Sequence, residues 1–165
     1  MKTTAGTEPR HLVFSPTLPL AYVGNERGGS VTAYKIDANT GQLARQQTVA
    51  SLPKGFQGKN ATAEVRLHPS GKILYLANRG HDSIARFAIG SDGAMQFAGT
   101  TPTEPTPRSF DISTDGQFLT AAGEASGKLA IYRIDSKTGD LTQTGTAPAG
   151  KMAWWVMSVG NGRGN

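Results

Sequence analysis

The residues of this sequence that are best suited to chemistry are crowded into one stretch, Thr62 to Ser83. Two short apolar runs there carry more ionisable side chains than a sheet needs for its own stability: Glu64, Arg66, His68, Arg79, His81 and Asp82. Carboxylates and imidazoles can transfer protons, and a guanidinium presents forked donors to a carboxylate or a phosphate. The stretch therefore indicates acid–base chemistry on an anionic ligand.

An internal repeat indicates which elements position these side chains. Residues 14–26 (FSPTLPLAYVGNE) match residues 67–79 (LHPSGKILYLANR) 53 positions later, and residues 112–124 (ISTDGQFLTAAGE) follow after a further 45 positions. The string IDANTGQL at residues 36–43 recurs as IDSKTGDL at 134–141, a shift equal to the sum of those two offsets. Each copy has the pattern of four short strands separated by turns, which is the size of one β-propeller blade.

The repeat predicts an all-β protein, a partial β-propeller of about three four-stranded antiparallel blades plus one extra strand. We expect blades at about residues 10–52, 62–103 and 107–149, the extra strand at 154–159 and a disordered tail at 160–165. Propellers generally close with four to eight blades. The sequence therefore predicts that missing N-terminal blades, or self-association, complete the ring.

Composition agrees with this fold class. The 165 residues include 21 Gly and 9 Pro, with 37% hydrophobic and 18% charged residues, which favours short strands over a helical bundle. Without cysteine, neither a disulfide framework nor a thiolate metal site can form. Because the N-terminus lacks the apolar run of a signal peptide and no segment has the length of a membrane span, we expect a cytoplasmic protein that does not bind membranes.

The charge pattern narrows the expected partners. A formal net charge of +5 can attract an anion, but the basic residues are scattered and no Lys/Arg run is interleaved with aromatic residues. We therefore expect no nucleic-acid binding, and a small anionic substrate instead. The three His fall at different strand positions without a tight acidic cluster, so we expect no metal site.

The starts of the innermost strands differ between repeats in a way that packing does not require. The equivalent pairs are Arg10-His11, Ala63-Glu64, Arg108-Ser109 and Trp154-Trp155. A purely structural repeat would place similar small or apolar residues at these positions, which should ring one mouth of the central channel. The mouth is therefore the predicted site, and an insertion in residues 52–62 lies in a loop on the same side.

The candidates at this mouth divide by their chemistry. His11 and Glu64 are candidate general bases, and Arg79 is a catalytic anion clamp or, alternatively, the salt-bridge partner of Glu64 or another acid at the rim. The candidate substrate-binding residues are Arg10, Arg108, Trp155 and His81. For Arg66, His68 and Asp82 we expect supporting or surface roles.

The motifs TEPRHLVFSP, NATAEVRLHPSGKILYLANRGHDSIARFAI, TEPTPRSFDIS and GKMAWWVMSV resemble the lactonase family of seven-bladed β-propellers. The resemblance runs from about Pro9 to Val159 and covers the C-terminal half of the family fold. It implies hydrolysis of a sugar lactone, 6-phosphogluconolactone to 6-phosphogluconate in the pentose phosphate pathway, without a required cofactor. By motif, it implies these site residues: His11, Glu64, Arg79 and Arg108.

The sequence departs from the family pattern in its last strand. Residues 152–155 read Met-Ala-Trp-Trp where relatives tend to have Gly-Pro before an apolar residue and a single Trp. Two alternative functions stay open: a non-catalytic propeller fragment or binding module, and a lactonizing enzyme of the carboxy-muconate type. The second stays open because arginines bind carboxylates as well as phosphates.

Overall fold

The computed structural model describes residues 3–160, so the predicted disordered tail, apart from Gly160, lies outside the described residues. Within this range twelve β-strands form three four-stranded antiparallel sheets. In each sheet the strands lie side by side in the order in which they follow one another along the chain. The prediction of an all-β fold with three four-stranded units is confirmed. Residues 3–160 contain no helix long and apolar enough to cross a membrane.

Each sheet is one blade, with its innermost strand first. The first blade contains β1 (Pro9–Phe14), β2 (Leu20–Asn25), β3 (Ser30–Ile36) and β4 (Leu43–Ala50). The second contains β5 (Ala61–Leu67), β6 (Ile73–Arg79), β7 (Ser83–Ile89) and β8 (Met95–Pro102). The third contains β9 (Pro107–Ile112), β10 (Phe118–Gly123), β11 (Lys128–Ile134) and β12 (Leu141–Pro148).

Neighbouring blades pack through apolar residues that alternate along their strands. One buried cluster joins the first and second blades and includes Tyr22, Val31, Leu76 and Phe87. A second cluster joins the second and third blades and includes Tyr75, Ile84, Phe110 and Tyr132. Because strand side chains alternate between faces, the central blade supplies apolar residues to both clusters.

A hydrogen bond from a buried tyrosine adds to each of these interfaces. The Tyr22 hydroxyl donates to the Gly93 carbonyl over 3.1 Å, and the Tyr75 hydroxyl donates to the Gly139 carbonyl over 2.7 Å. Burial raises the pKa of both hydroxyls, which keeps them protonated as donors. In the first blade the equivalent turn, between β3 and β4, has no other blade of residues 3–160 packed on it at Gly41: a Cβ built there would have no neighbour within 4 Å.

The innermost strands share an irregularity at their starts. In β1, Arg10 and His11 lie between regularly paired positions and face one residue of β2, Gly24. In β5 the same bulge falls on Ala63 and Glu64, and β9 has a register shift at the equivalent place. A β-bulge redirects side chains and bends the strand locally. The positions at which the repeats diverge are therefore the bulged positions, whose side chains are directed away from the regular ladder.

The prediction of an extra strand at 154–159 is wrong for the described chain, because these residues form no strand. The segment lies along β9 instead: the Val156 N–H donates to Ser109 Oγ over 3.2 Å, and the Ser158 N–H donates to Asp111 Oδ2 over 2.7 Å. These contacts place it where the innermost strand of a next blade would run. Within residues 3–160 it has no second strand of its own sheet, so no ladder forms.

Candidate functional site

A histidine and a glutamate from neighbouring blades form the centre of the site. The innermost strands β1 and β5 are in contact, and His11 Nδ1 lies 3.1 Å from Glu64 Oε1. The other ring nitrogen, Nε2, lies 3.3 Å from Arg10 Nη1. Because a guanidinium can only donate, Nε2 accepts from Arg10 and the proton on Nδ1 is donated to Glu64. We assign this tautomer from the hydrogen-bond partners.

The Glu64 carboxylate is buried, with 1% of its side chain exposed. Its Oε1 atom contacts both His11 and Arg66, whose Nη1 lies 3.0 Å away. Its Oε2 atom is also buried and has no hydrogen-bond partner among residues 3–160. An unsatisfied buried acceptor is costly and uncommon in groups that serve only the fold. Its burial beside an imidazole and a guanidinium makes Glu64 a candidate site residue.

Arg66 and Asp111 continue this network toward the third blade. Arg66 Nε donates to Asp111 Oδ1 over 3.0 Å. The Trp155 ring lies over the guanidinium, with its centroid 5.7 Å from Arg66 Cζ, and meets the His11 ring edge-on at 6.4 Å. The candidate binding residue Trp155 thus adjoins the His11–Glu64 pair, with 59% of its area exposed.

Sequence reasoning missed the central place of Arg66 and Asp111. A signal was available, because residues two apart on a strand share a face. Arg66 lies two positions after Glu64, and Asp111 lies two positions after Ser109. Extending the comparison of equivalent positions by one step along each innermost strand would have placed Arg66 and Asp111 at neighbouring positions near the mouth, although it would not have shown that they pair.

Arg79 lies at the end of β6 and pairs with Glu26. Of the two roles considered from the sequence, this contact corresponds to the salt bridge with an acid at the rim. Its Nη2 donates to Glu26 Oε1 and, over 3.1 Å, to the Thr62 carbonyl. Glu26 Oε2 lies 3.3 Å from Arg10 Nε, so one carboxylate joins two arginines. Burial alone would raise the pKa of Glu26, but hydrogen bonding and charge from Arg79, with the charge of Arg10, outweigh it and hold that pKa below its usual value.

Arginines and carboxylates are crowded together at the mouth. Burial, then the neighbouring charge of Arg79 and more weakly that of Arg108, lowers the pKa of the Arg10 guanidinium. Arg108 Nη1 lies 3.2 Å from Glu124 Oε2, and its Cζ lies 5.0 Å from the Trp154 ring centroid. With Arg66, the mouth thus combines four guanidinium groups with four carboxylates, those of Glu26, Glu64, Asp111 and Glu124. Crowded guanidinium groups on a partly open surface can bind an anionic group.

His81, the remaining candidate for binding substrate, contacts other partners. Its Nδ1 lies 2.8 Å from Ser83 Oγ, and its ring meets the Phe56 ring edge-on at 4.9 Å. Phe56 belongs to the insertion that sequence analysis placed beside the mouth. His81 is therefore packed against that insertion and is not a member of the hydrogen-bonded network of His11 and Glu64.

Two other polar residues of the stretch join successive blades. His68 Nε2 lies 3.0 Å from the Gly116 carbonyl, and Asp82 Oδ1 accepts from the Thr106 N–H over 2.9 Å. Both contacts link the second blade to the third, as the supporting roles expected from the sequence require. Residues 3–160 contain no group of three or more His, Cys, Asp or Glu side chains arranged to hold a metal ion.

The model of the lactonase family, described as a 7-bladed beta-propeller, matches residues 1–158. The chain belongs to this family. It is 38% identical over 157 residues to the 6-phosphogluconolactonase of Pectobacterium carotovorum, a match that covers 94% of this chain and 47% of that protein. The 6-phosphogluconolactonase of Yersinia pestis is 36% identical over 153 residues. The chain thus spans about half the length of these relatives.

Two solved structures superpose closely on this chain. A protein from Lactobacillus plantarum gives a TM-score of 0.88 at 29% identity and covers 92% of this chain. The periplasmic gluconolactonase of Pseudomonas aeruginosa gives a TM-score of 0.84, also at 29% identity and 92% coverage. The matched regions are 45% and 43% of those chains. The resemblance inferred from the sequence motifs is confirmed, and it concerns part of the family propeller.

Proposed function

We propose that this chain supplies the catalytic mouth of a sugar-lactone hydrolase, with 6-phosphogluconolactone as substrate and 6-phosphogluconate as product. The observation that carries the proposal is the hydrogen bond between His11 Nδ1 and the buried Glu64 carboxylate. The relatedness to 6-phosphogluconolactonases supports the substrate class. The enzyme requires no metal or cofactor in this proposal.

Exposure assigns different roles to the two members of this pair. The His11 side chain is 32% exposed, whereas that of Glu64 is 1% exposed. His11 can therefore meet a water molecule at its Nε2 atom, while Glu64 holds the ring through Nδ1 and stabilises the imidazolium that forms. Carboxylate–imidazole pairs activate nucleophiles by this division of roles. Arg10 donates to the same nitrogen, so in this proposal the guanidinium must turn to the substrate before Nε2 can accept a proton from water.

The reaction is an acyl transfer to water. His11 Nε2 removes a proton from water as the water oxygen bonds to the lactone carbonyl carbon, giving a tetrahedral oxyanion. The bond between that carbon and the ring oxygen then breaks, and the imidazolium returns its proton to the ring oxygen as the new hydroxyl forms. The carboxylic acid product loses its proton to solvent, so His11 ends neutral and one proton is released.

The arginines at the mouth fit the anionic parts of this substrate. Arg10 lies beside His11 and is placed to stabilise the oxyanion, where preorganised positive charge is most effective. Arg79 and Arg108 bind the phosphate by exchanging part of their contact with Glu26 and Glu124. Forked donors suit both anions.

Hydrolysis assays on the purified protein test this proposal. We expect turnover of 6-phosphogluconolactone, and we expect Arg79→Lys to lower kcat/KM at least about tenfold. With unphosphorylated gluconolactone the same substitution should change kcat/KM less than about twofold, because no phosphate is bound. A result in which Arg79→Lys impairs both lactones equally would contradict the phosphate role, and the absence of any turnover would contradict the hydrolase.

Arg86→Lys is the matched control. The Arg86 side chain is 18% exposed, close to the 15% of Arg79, and is likewise paired with an acid, Asp140. It contacts the turn between β11 and β12, at the opposite end of the blades from the mouth. We expect Arg86→Lys to leave kcat/KM unchanged for both lactones.

A binding function without catalysis is the second candidate, favoured by the pairing of Arg79 and Arg108 with carboxylates. Calorimetric titration with 6-phosphogluconate separates the two: binding without turnover of the lactone would support the binding module. Including a carboxylated lactone in the assay tests the lactonizing alternative. Preference for that compound would indicate that the site recognises a carboxylate rather than a phosphate.

A further inference from the structure

One oxygen of Glu64 serves two partners from different directions. Oε1 accepts from His11 Nδ1, which approaches from β1, and from Arg66 Nη1, which lies on the same strand as Glu64. The distances are 3.1 and 3.0 Å. Since Oε2 has no partner among the described residues, the orientation of this carboxylate is fixed through Oε1 alone.

Arg66 is itself held on its other side. Its Nε donates to Asp111 Oδ1, and the second oxygen of Asp111 accepts the Ser158 N–H over 2.7 Å. The Trp155 ring covers the guanidinium, which is 27% exposed as a side chain. A planar guanidinium anchored by an acid and an aromatic ring has little rotational freedom. It can therefore transmit a fixed geometry to Glu64.

We propose that Arg66 is a positioning residue that holds Glu64 Oε1 toward His11 and thereby keeps the His11 proton on Nδ1. Without Arg66 the buried carboxylate loses its cationic partner, which is unfavourable, and it turns away from the imidazole to regain solvation. Only the 3.3 Å contact from Arg10 then opposes movement of the His11 proton to Nε2, the nitrogen that the proposed hydrolysis needs as an acceptor. The catalytic part of this inference rests on the proposed function, whereas the structural part does not.

Imidazole nitrogen NMR tests the structural part directly. The chemical shifts of Nδ1 and Nε2 distinguish the two neutral tautomers, and with 3 His in the sequence the signals can be assigned by single substitutions. We expect the Nδ1–H form of His11 in the wild-type protein and in Arg66→Lys, and a mixture or the Nε2–H form in Arg66→Gln. Retention of the Nδ1–H form in a folded Arg66→Gln protein would overturn the proposal, as would the Nε2–H form in the wild type.

Arg133→Gln is the control for loss of an arginine that stacks on an aromatic ring. Arg133 lies over the Phe118 ring at 5.0 Å in the third blade. This substitution should leave the His11 tautomer and turnover as in the wild type. A change in the His11 tautomer caused by Arg133→Gln would show that the nitrogen shifts report general loosening of the sheet. It would count against Arg66 as the specific determinant of the tautomer.

Kinetics then test the catalytic part. We expect Arg66→Gln to lower kcat for 6-phosphogluconolactone by about ten- to hundredfold, with KM within about twofold and partial recovery of kcat in Arg66→Lys. An unchanged kcat beside an altered tautomer would overturn the catalytic role of Arg66. If the wild type itself does not hydrolyse lactones, the proposed function fails, and the tautomer measurement still decides the positioning role.

Discussion

His11 Nδ1 and Glu64 Oε1 lie 3.1 Å apart, although the two residues are 53 positions apart in the sequence. That separation is the offset of the first repeat, so the bonded residues occupy the same position in successive blades. Equivalent positions of adjacent innermost strands are neighbours in space. Divergence at one such position can therefore turn a structural repeat into a hydrogen-bonded pair of unlike residues, which here joins an imidazole to a buried carboxylate.

The first prediction concerns acid stability and Glu26. Because hydrogen bonding and charge from Arg79 outweigh burial and lower the pKa of Glu26, the charged carboxylate stabilises the folded protein. This stabilisation is fully present above the ordinary glutamate value of about 4.3 and is lost as pH falls through the lower folded-state pKa. Glu26→Gln should therefore lower Tm at pH 6, and the Tm difference from the wild type should shrink as pH falls below about 4.3.

Thermal unfolding followed from pH 3 to 7 measures this difference. Three other carboxyl groups with lowered pKa values also lose their stabilising contribution at low pH: those of Asp37, Asp115 and Asp135. Subtracting the Glu26→Gln curve from the wild-type curve removes their shared contribution. A Tm difference that stays constant through this range would contradict the role assigned to the Glu26 ion pairs.

The second prediction concerns the hydrogen bond between Tyr75 and the Gly139 carbonyl, which links the second and third blades. Tyr75→Phe leaves that carbonyl without its donor while keeping the ring in place. We expect the free energy of unfolding to fall by about 1 to 3 kcal/mol, measured by urea denaturation. Tyr34→Phe, at a buried tyrosine of β3 outside these interfaces, is the control and should have the smaller effect. Equal losses in both variants would argue against the contact.

The third prediction concerns the close approach of Gly80 to the inserted loop. Gly80 has φ +103°, and a Cβ there would lie 2.4 Å from the Lys59 carbonyl oxygen. Gly80→Ala should destabilise the protein by at least about 2 kcal/mol, because both backbone strain and the clash oppose it. Gly41→Ala, at φ +68° with open space, should cost only about 1 kcal/mol for the left-handed conformation. Similar losses in urea denaturation would show that the Lys59 contact does not constrain the loop.

The sequence was sufficient to predict the blades and much of the mouth. The repeat register depends on apolar alternation and turn residues, which are local, so it placed His11 and Glu64 at equivalent positions. The choice of ion-pair partners was beyond such reasoning, because it depends on rotamers and on the bulge at each strand start. Arg79 therefore could not be assigned to Glu26, and Arg66 was not placed between Glu64 and Asp111.

The segment 154–159 illustrates a second limit. Its short apolar run matches an innermost strand, and the chain does run beside β9. A strand also needs a hydrogen-bonded partner, and that property belongs to neighbouring chain segments rather than to the segment itself. Sequence pattern thus predicted the location of residues 154–159 and not their secondary structure.

The central claim is that the Glu64 carboxylate makes His11 an effective base, and steady-state hydrolysis by Glu64→Gln tests it most directly. Glutamine keeps the shape of the side chain but lacks the charge that stabilises the imidazolium. We predict that kcat for 6-phosphogluconolactone falls at least about a hundredfold, with KM within about twofold of the wild-type value. A Glu64→Gln protein that is folded and hydrolyses this lactone at the wild-type rate would contradict the claim.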